Sequence, residues 1–231
     1  MKKLAFFVEG LTEQLLVKKL FEEVAGVNNI VIIEAKSAGK KGSLIINITA
    51  QSKKTKAKFY VLIVDCSRDT MVSPNVIENY QKMVKGGYAK ILGLRDVFPL
   101  KYSNIPRIKM EMRKYIPTNP IPAHILLAVM ETEAWFMAEH SHFKKIHNTL
   151  TVELIKKRLS YDLLVDNIEL IENPAKELHK IYSIAGKAYS KTRNRISRTV
   201  NVLDYSNLYL NTINRMPHLK DLIKHIESFL S

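Results

Sequence analysis

Cysteine is almost absent from this chain: its 231 residues hold one, Cys66. A lone thiol excludes an intramolecular disulfide framework and any zinc site built on paired cysteines, and it fits a reducing interior. Long apolar runs are missing too, and nothing approaches the ~18–20 residues of a membrane-spanning helix. The start, MKKLAFFVEG, has a basic pair but only five apolar residues before Glu9. That is short of the ~7–15 of a signal-peptide core, and no small-residue cleavage site follows. The chain therefore reads as cytoplasmic. Internal repeats and low-complexity tracts are lacking. GKKGS at 39–43 lacks the G-x-x-x-x-G-K-[ST] spacing of a phosphate-binding loop. What remains is a length sufficient for one α/β domain with a helical extension, whose core needs no cross-links.

Acid is the charge in short supply. Thirty-six Lys and Arg stand against 22 Asp and Glu, a formal net charge of +14, and such a field attracts polyanions. Residues 35–64 hold no acid but carry Lys36, Lys40, Lys41, Lys53, Lys54, Lys56 and Lys58. Residues 178–203 hold no acid either, and Lys187, Lys191, Arg195 and Arg198 follow one another at spacings of four, four and three. If helical, that spacing puts the four on one face, with Tyr182 and Tyr189 interleaved as candidate stacking groups. A solvated basic face is the plainer reading of that segment.

The few acids that exist recur in one pattern. Residues 4–8 (LAFFV) form a continuous apolar run that stops at Glu9, followed by Gly10, Thr12 and Glu13. This reads as a buried parallel strand opening into a helix capped by Thr12, with Glu13 serving either the helix dipole or chemistry. Residues 59–64 (FYVLIV) end at Asp65, with Asp69 beyond; residues 88–94 end at Arg95-Asp96; residues 124–130 end at Glu131 and Glu133 of METEAW. Four parallel strands that each finish on an acid would gather carboxylates at one sheet edge, where open α/β sheets bind ligands. Clustered carboxylates repel unless a cation lies among them, and oxygen-only ligands suit Mg²⁺ or Mn²⁺.

The expected helices are 12–25, 43–51, 74–85, 105–115, 134–140, 151–159, 174–188 and 219–230, with a short strand at 30–33. The alternation predicts an α/β fold with a mostly parallel, Rossmann-like sheet and helices on both faces. Residues 1–140 would form it, including a Pro-rich basic insertion at about 99–122, and 141–231 a mainly helical, basic extension. His140, His142 and His147 have spacing that can bind zinc, but without a cysteine ligand they are read as non-ligands, and Trp135 as core.

V-E-G-L-T-E after the first strand, with Asp65 ending a later one, resembles the Toprim domain of topoisomerases, primases and the overcoming-lysogenisation-defect class of nucleases. The G-L-R-D and E-x-E-A-W segments are similar to those of a stand-alone bacterial Toprim-like family of unassigned activity. The resemblance covers residues 1–140 and implies divalent-metal-dependent phosphodiester hydrolysis on DNA or RNA, with Mg²⁺ or Mn²⁺ on Glu9 and Asp65. The family's second motif is D-x-D; here the spacing is D-C-S-R-D, so Asp69, Asp96, Glu131 or Glu133 could supply the further ligand. Glu9 or Glu13 would assist proton transfer. A lysine after the core, Lys187 or Lys191, would offset charge on the phosphate. Lys40, Lys41, Arg107, Arg113, Lys187, Lys191, Arg195 and Arg198 are the candidate nucleic-acid contacts. The chain is too short for a topoisomerase or primase. The rival expectation is a non-catalytic nucleic-acid- or partner-binding subunit, for example of a defence or mobile-element system.

Overall fold

A computed structural model describes residues 1–52 and 57–231; Lys53, Lys54 and Lys56 of the first basic segment lie outside the described residues. The elements run β1 (Lys2–Val8), α1 (Leu11–Ala25), β2 (Ile30–Ala38), β3 (Ile45–Gln51), β4 (Phe59–Asp65), α2 (Val72–Lys85), β5 (Lys90–Asp96), α3 (Ile105–Tyr115) and β6 (Ala123–Ala128). Helices follow: α4 (Glu133–Ala138), α5 (His142–Ile146), α6 (Val152–Leu159), α7 (Pro174–Ser183), α8 (Arg193–Val202), α9 (Tyr205–Leu210) and α10 (Pro217–Leu230). The six strands make one sheet in the order β3-β2-β4-β1-β5-β6. The chain is therefore α/β with a mostly parallel sheet, as its strand–helix alternation predicts.

Two compact units divide the chain. The first is 1–95, 104–127 and 224–231; the second is 96–103 and 128–223. In the first, β1 lies parallel to both β4 and β5, with Val8 level with Asp65 and with Leu94. Its residues are buried on both faces, which is why the run is continuously apolar. Ala5 and Phe7 join a core with Val72, Val76 and Tyr80 of α2. On the other face Phe6 meets Phe21 of α1 edge-on at 6.2 Å, and Phe21 meets Phe229 at 6.3 Å. Gln14 ties α1 to the sheet, its Nε2 donating to the carbonyls of Ala35 (3.0 Å) and Ile63 (3.2 Å).

Several expected elements take another form. Residues 45–51 are a strand, not a helix: β3 pairs antiparallel with β2, from Ile33↔Gln51 to Ala38↔Ile45. Three β-branched isoleucines fit a pleated edge better than a helix. The same pairing extends β2 well past residue 33. Gly10, not Thr12, precedes α1 as its cap. The expected helix over 174–188 ends at Ser183, and Gly186 takes a left-handed φ of +66°. Lys187, Lys191, Arg195 and Arg198 therefore do not share one helix; the first two lie in the connection and the others in α8.

The second unit is helical. Its interior holds Trp135, Phe136, Phe143, Ile155, Leu178, Tyr182, Ile196 and Leu208, each no more than 1% exposed. Trp135 is core, as its place behind Glu133 suggests. Among the described residues no helix is long and apolar enough to cross a membrane.

Candidate metal centre

Asp96, Glu131 and Glu133 come together in the second unit, all three buried, with one carboxylate oxygen from each lying within 4.8 Å of the others. The backbone dictates this convergence. Past the end of β5, the amides of Val97 and Phe98 donate to the carbonyls of Ala128 (3.0 Å) and Met130 (2.8 Å). That pairing sets Asp96 beside the turn that carries the two glutamates. Met130 adopts a positive φ of +52°, an uncommon conformation for an unbranched non-glycine residue. It turns the chain out of β6 so that Glu131 precedes α4 and Glu133 opens it.

Each carboxylate is fixed by neutral donors. Thr132 donates to Asp96 Oδ1 from both its amide and its hydroxyl, at 3.2 Å each. The Ala175 amide, in the first turn of α7, donates to Glu131 Oε2 at 2.9 Å. The Tyr189 hydroxyl donates to Glu133 Oε1 at 2.7 Å. Lys191 Nζ approaches all three, lying 2.8 Å from Glu131, 3.7 Å from Glu133 and 3.9 Å from Asp96. Its side chain stays 46% exposed, so the ammonium reaches the acids from solvent. Partial burial would lower the lysine's pKa, but the charges of Glu133, Asp96 and Glu131 outweigh this and hold it above the ordinary lysine range.

Size supports a cation site. Hard divalent cations take oxygen ligands at about 2.0–2.6 Å, so opposite ligands stand about 4–5 Å apart. The trio's oxygens, none more than 4.8 Å from another, do not exceed that span.

Three further acids anticipated from sequence belong to the first unit. Glu9 follows β1 and Asp65 ends β4, at the same ends of adjacent parallel strands in the first unit. Both are half-buried. Asp65 Oδ1 accepts from the Ser67 amide at 2.7 Å. Burial, with the negative charges of Asp65 and Glu9, pushes the Cys66 thiol far up, so it is an inert packed thiol rather than a nucleophile. Glu13 is buried and its Oε2 accepts from the Gly10 amide at 3.0 Å. Its capping role is thus directly visible, and nothing in the described contacts gives it a catalytic one. The Asp69 side chain lies outside the described ones.

The basic candidates separate into engaged and exposed. Lys191 reaches the acids and Lys187 does not; Lys187 is exposed. Arg198 donates to the Ala188 carbonyl and lies 5.4 Å from the centre of the Tyr182 ring, which makes it a packing group. Arg195 is exposed and donates to Ser190 at 3.2 Å. Arg107 pairs with Glu111 at 2.9 Å on α3, where Arg113 is exposed, and Lys40 and Lys41 are exposed between β2 and β3. Tyr182 and Tyr189 are no stacking platforms. Both are buried, meeting edge-on at 6.1 Å.

Sequence reasoning misses a further buried carboxylate in this unit, Glu139. Its Oε1 accepts from the Ser141 amide (3.2 Å) and hydroxyl (2.5 Å) and from Asn207 Nδ2 (3.0 Å), and its Oε2 from the Asp204 amide (3.1 Å). His142 Nδ1 lies 3.5 Å from Oε2, and its Nε2 is 3.2 Å from the Tyr182 hydroxyl, which bonds Thr199 at 2.9 Å. His142 is thus part of an internal network. Burial would raise the Glu139 pKa, but the hydrogen bonds from His142, Ser141 and Asn207 overcome it and bring the pKa to about 2.

In comparisons with known proteins, the chain matches no family model, no curated protein and no solved structure.

Proposed function

We propose that this protein is a divalent-metal-dependent phosphodiesterase acting on DNA or RNA, with Mg²⁺ or Mn²⁺ on Asp96, Glu131 and Glu133. The observation that carries the reading is the convergence of three buried carboxylates on one partly exposed ammonium. A bound divalent ion would supply a water of lowered pKa and Lewis-acid polarisation of the phosphate. Lys191, cationic and reachable from solvent, would then neutralise charge on a phosphate oxygen. The net charge of +14 favours encounter with a polyanion. Lys40, Lys41, Arg113, Lys187 and Arg195, all exposed, are the phosphate contacts this reading uses. The Toprim-like relationship belongs to the same proposal. It is supported by the parallel sheet and by Glu9 and Asp65 at the matching ends of β1 and β4.

The experiment is cleavage of single- and double-stranded DNA and RNA by the purified protein with Mg²⁺ or Mn²⁺. Glu131→Gln and Glu133→Gln should each abolish a wild-type activity that chelation also removes. No metal-dependent cleavage of any substrate would contradict the proposal.

One observation favours a second reading. Lys191 stands where a cation would, so the cluster also makes sense as a closed ion network in a non-catalytic nucleic-acid- or partner-binding subunit. In that case divalent metal should neither bind nor stabilise the protein, while salt-dependent nucleic-acid binding persists.

A further inference from the structure

A separate cavity lies in the first unit, about 510 Å³ in volume, between α2 and α3. That is within the ~300–1,000 Å³ range of small-molecule sites. Its walls are apolar and open to water: Ile77 of α2 and Tyr115 of α3 are 42% and 62% exposed, and Ile108 and Met112 lie between them. Side chains of this kind left unburied together mark a binding surface.

The charged lining is lopsided once its existing bonds are considered. Glu78 is occupied, its two oxygens accepting from the amides of Gly42 (2.6 Å) and Leu44 (3.2 Å). Glu111 is paired with Arg107 at 2.9 Å. The two basic lining groups differ. Arg95 has a buried Nε with no hydrogen-bond partner among the described residues, and exposed Lys41 lies at the same cavity. A buried guanidinium nitrogen without an acceptor calls for one from outside, and a planar fork of donors suits a carboxylate, phosphate or sulfonate. Ser73 and Pro74, in the first turn of α2, also line the cavity. The positive end of that fourteen-residue helix adds to the preference for an anion.

We propose that this cavity binds an amphiphilic monoanion, its acidic group on Arg95 and Lys41 and its apolar body between Ile77 and the Ile108–Met112–Tyr115 face of α3. The site requires both halves of the ligand. Inorganic phosphate lacks the body and an alcohol lacks the charge.

Four probes test this by calorimetry on the full chain: anilinonaphthalene sulfonate, decanoate, 1-decanol and inorganic phosphate. The sulfonate and decanoate should bind with one-to-one saturation, and decanol and phosphate about tenfold or more weaker, the factor a charge-assisted hydrogen bond commands. Arg95→Gln should weaken both anionic probes about tenfold while leaving decanol within about twofold. Because Arg95 adjoins Asp96 in the chain, Met112→Glu gives an independent test: a carboxylate on the wall should expel the anions and spare decanol. Lys41→Gln, an exposed loop change, should cost the anions a smaller factor. Equal binding of decanoate and decanol, or wild-type decanoate affinity in both Arg95→Gln and Met112→Glu, would overturn the proposal, as would the absence of binding by either anionic probe.

Discussion

Glu139 and the Asp96–Glu131–Glu133 trio are two answers to the same problem, carboxylate charge buried in one helical unit. Glu139 is a single charge surrounded by donors: Ser141, Asn207, the Asp204 amide and His142. The trio is three neighbouring carboxylates, with Lys191 within 3.9 Å of each and neutral donors from Thr132, Ala175 and Tyr189. A buried carboxylate whose oxygens are fully supplied is a structural element, and the low pKa of Glu139, about 2, expresses that. A buried cluster of several carboxylates is a place a cation could occupy. Burial alone does not separate structure from function; the balance between charge and donors does.

The largest effect should come from emptying the satisfied site. Glu139→Ala takes the side-chain acceptor away from Ser141, Asn207 and the Asp204 amide, and denaturant unfolding should show a loss of about 3–5 kcal/mol. A loss below about 1 kcal/mol would break the contrast. Acid should reveal the same group next. Its folded pKa lies below the ordinary carboxylate value of 4.5. Its stabilisation is therefore present in full above pH ~4.5 and lost as pH falls through that range towards 2, worth about 3 kcal/mol. Melting temperature followed from pH 6 to pH 2 in wild type, against Glu139→Gln, measures it; identical profiles would contradict the assignment.

The clustered carboxylates should respond with the opposite sign. Glu133→Gln keeps a side-chain oxygen for the Tyr189 hydroxyl and relieves like-charge repulsion. The metal-free protein should gain up to about 1 kcal/mol by denaturant unfolding, where a loss of 3 kcal/mol would mark Glu133 as structural instead. Smallest of all is Arg195→Ala on the exposed start of α8. Stability should change by less than about 0.5 kcal/mol, while the salt dependence of nucleic-acid binding flattens by roughly one phosphate contact. An unchanged salt slope would remove Arg195 from the interface.

Much of the fold was legible because its signals are local. A strand buried on both faces must be apolar at every position, as residues 4–8 are, and Gly87, at a left-handed φ of +70°, lets the chain leave α2. The residues at 43–51 misled because Gly42-Ser43 imitates a helix start, whereas an edge strand is decided by its partner, here β2. Within the site, Asp96, Glu131 and Glu133 were visible as acids that end apolar runs. The motif VEGLTE puts Glu9 just past a strand end, and its Glu13 accepts from the Gly10 amide at the start of α1. Lys191 joins Glu131 across 60 residues, so sequence offered only a basic segment with two candidate lysines. Tyr189 and Glu139 carried no signal, since an aromatic among lysines suggests stacking and AEHSH suggests metal-binding histidines. Both are defined by partners distant in the chain.

Calorimetric titration of Mn²⁺ into wild type, Glu131→Gln and Glu139→Gln tests the central claim most directly. The account predicts saturable one-site binding to wild type, its loss in Glu131→Gln and its survival in Glu139→Gln. Thermal stabilisation should follow binding, about 2.7 kcal/mol at a hundredfold excess over Kd. Absence of Mn²⁺ binding by wild type, or undiminished binding by Glu131→Gln, would contradict it.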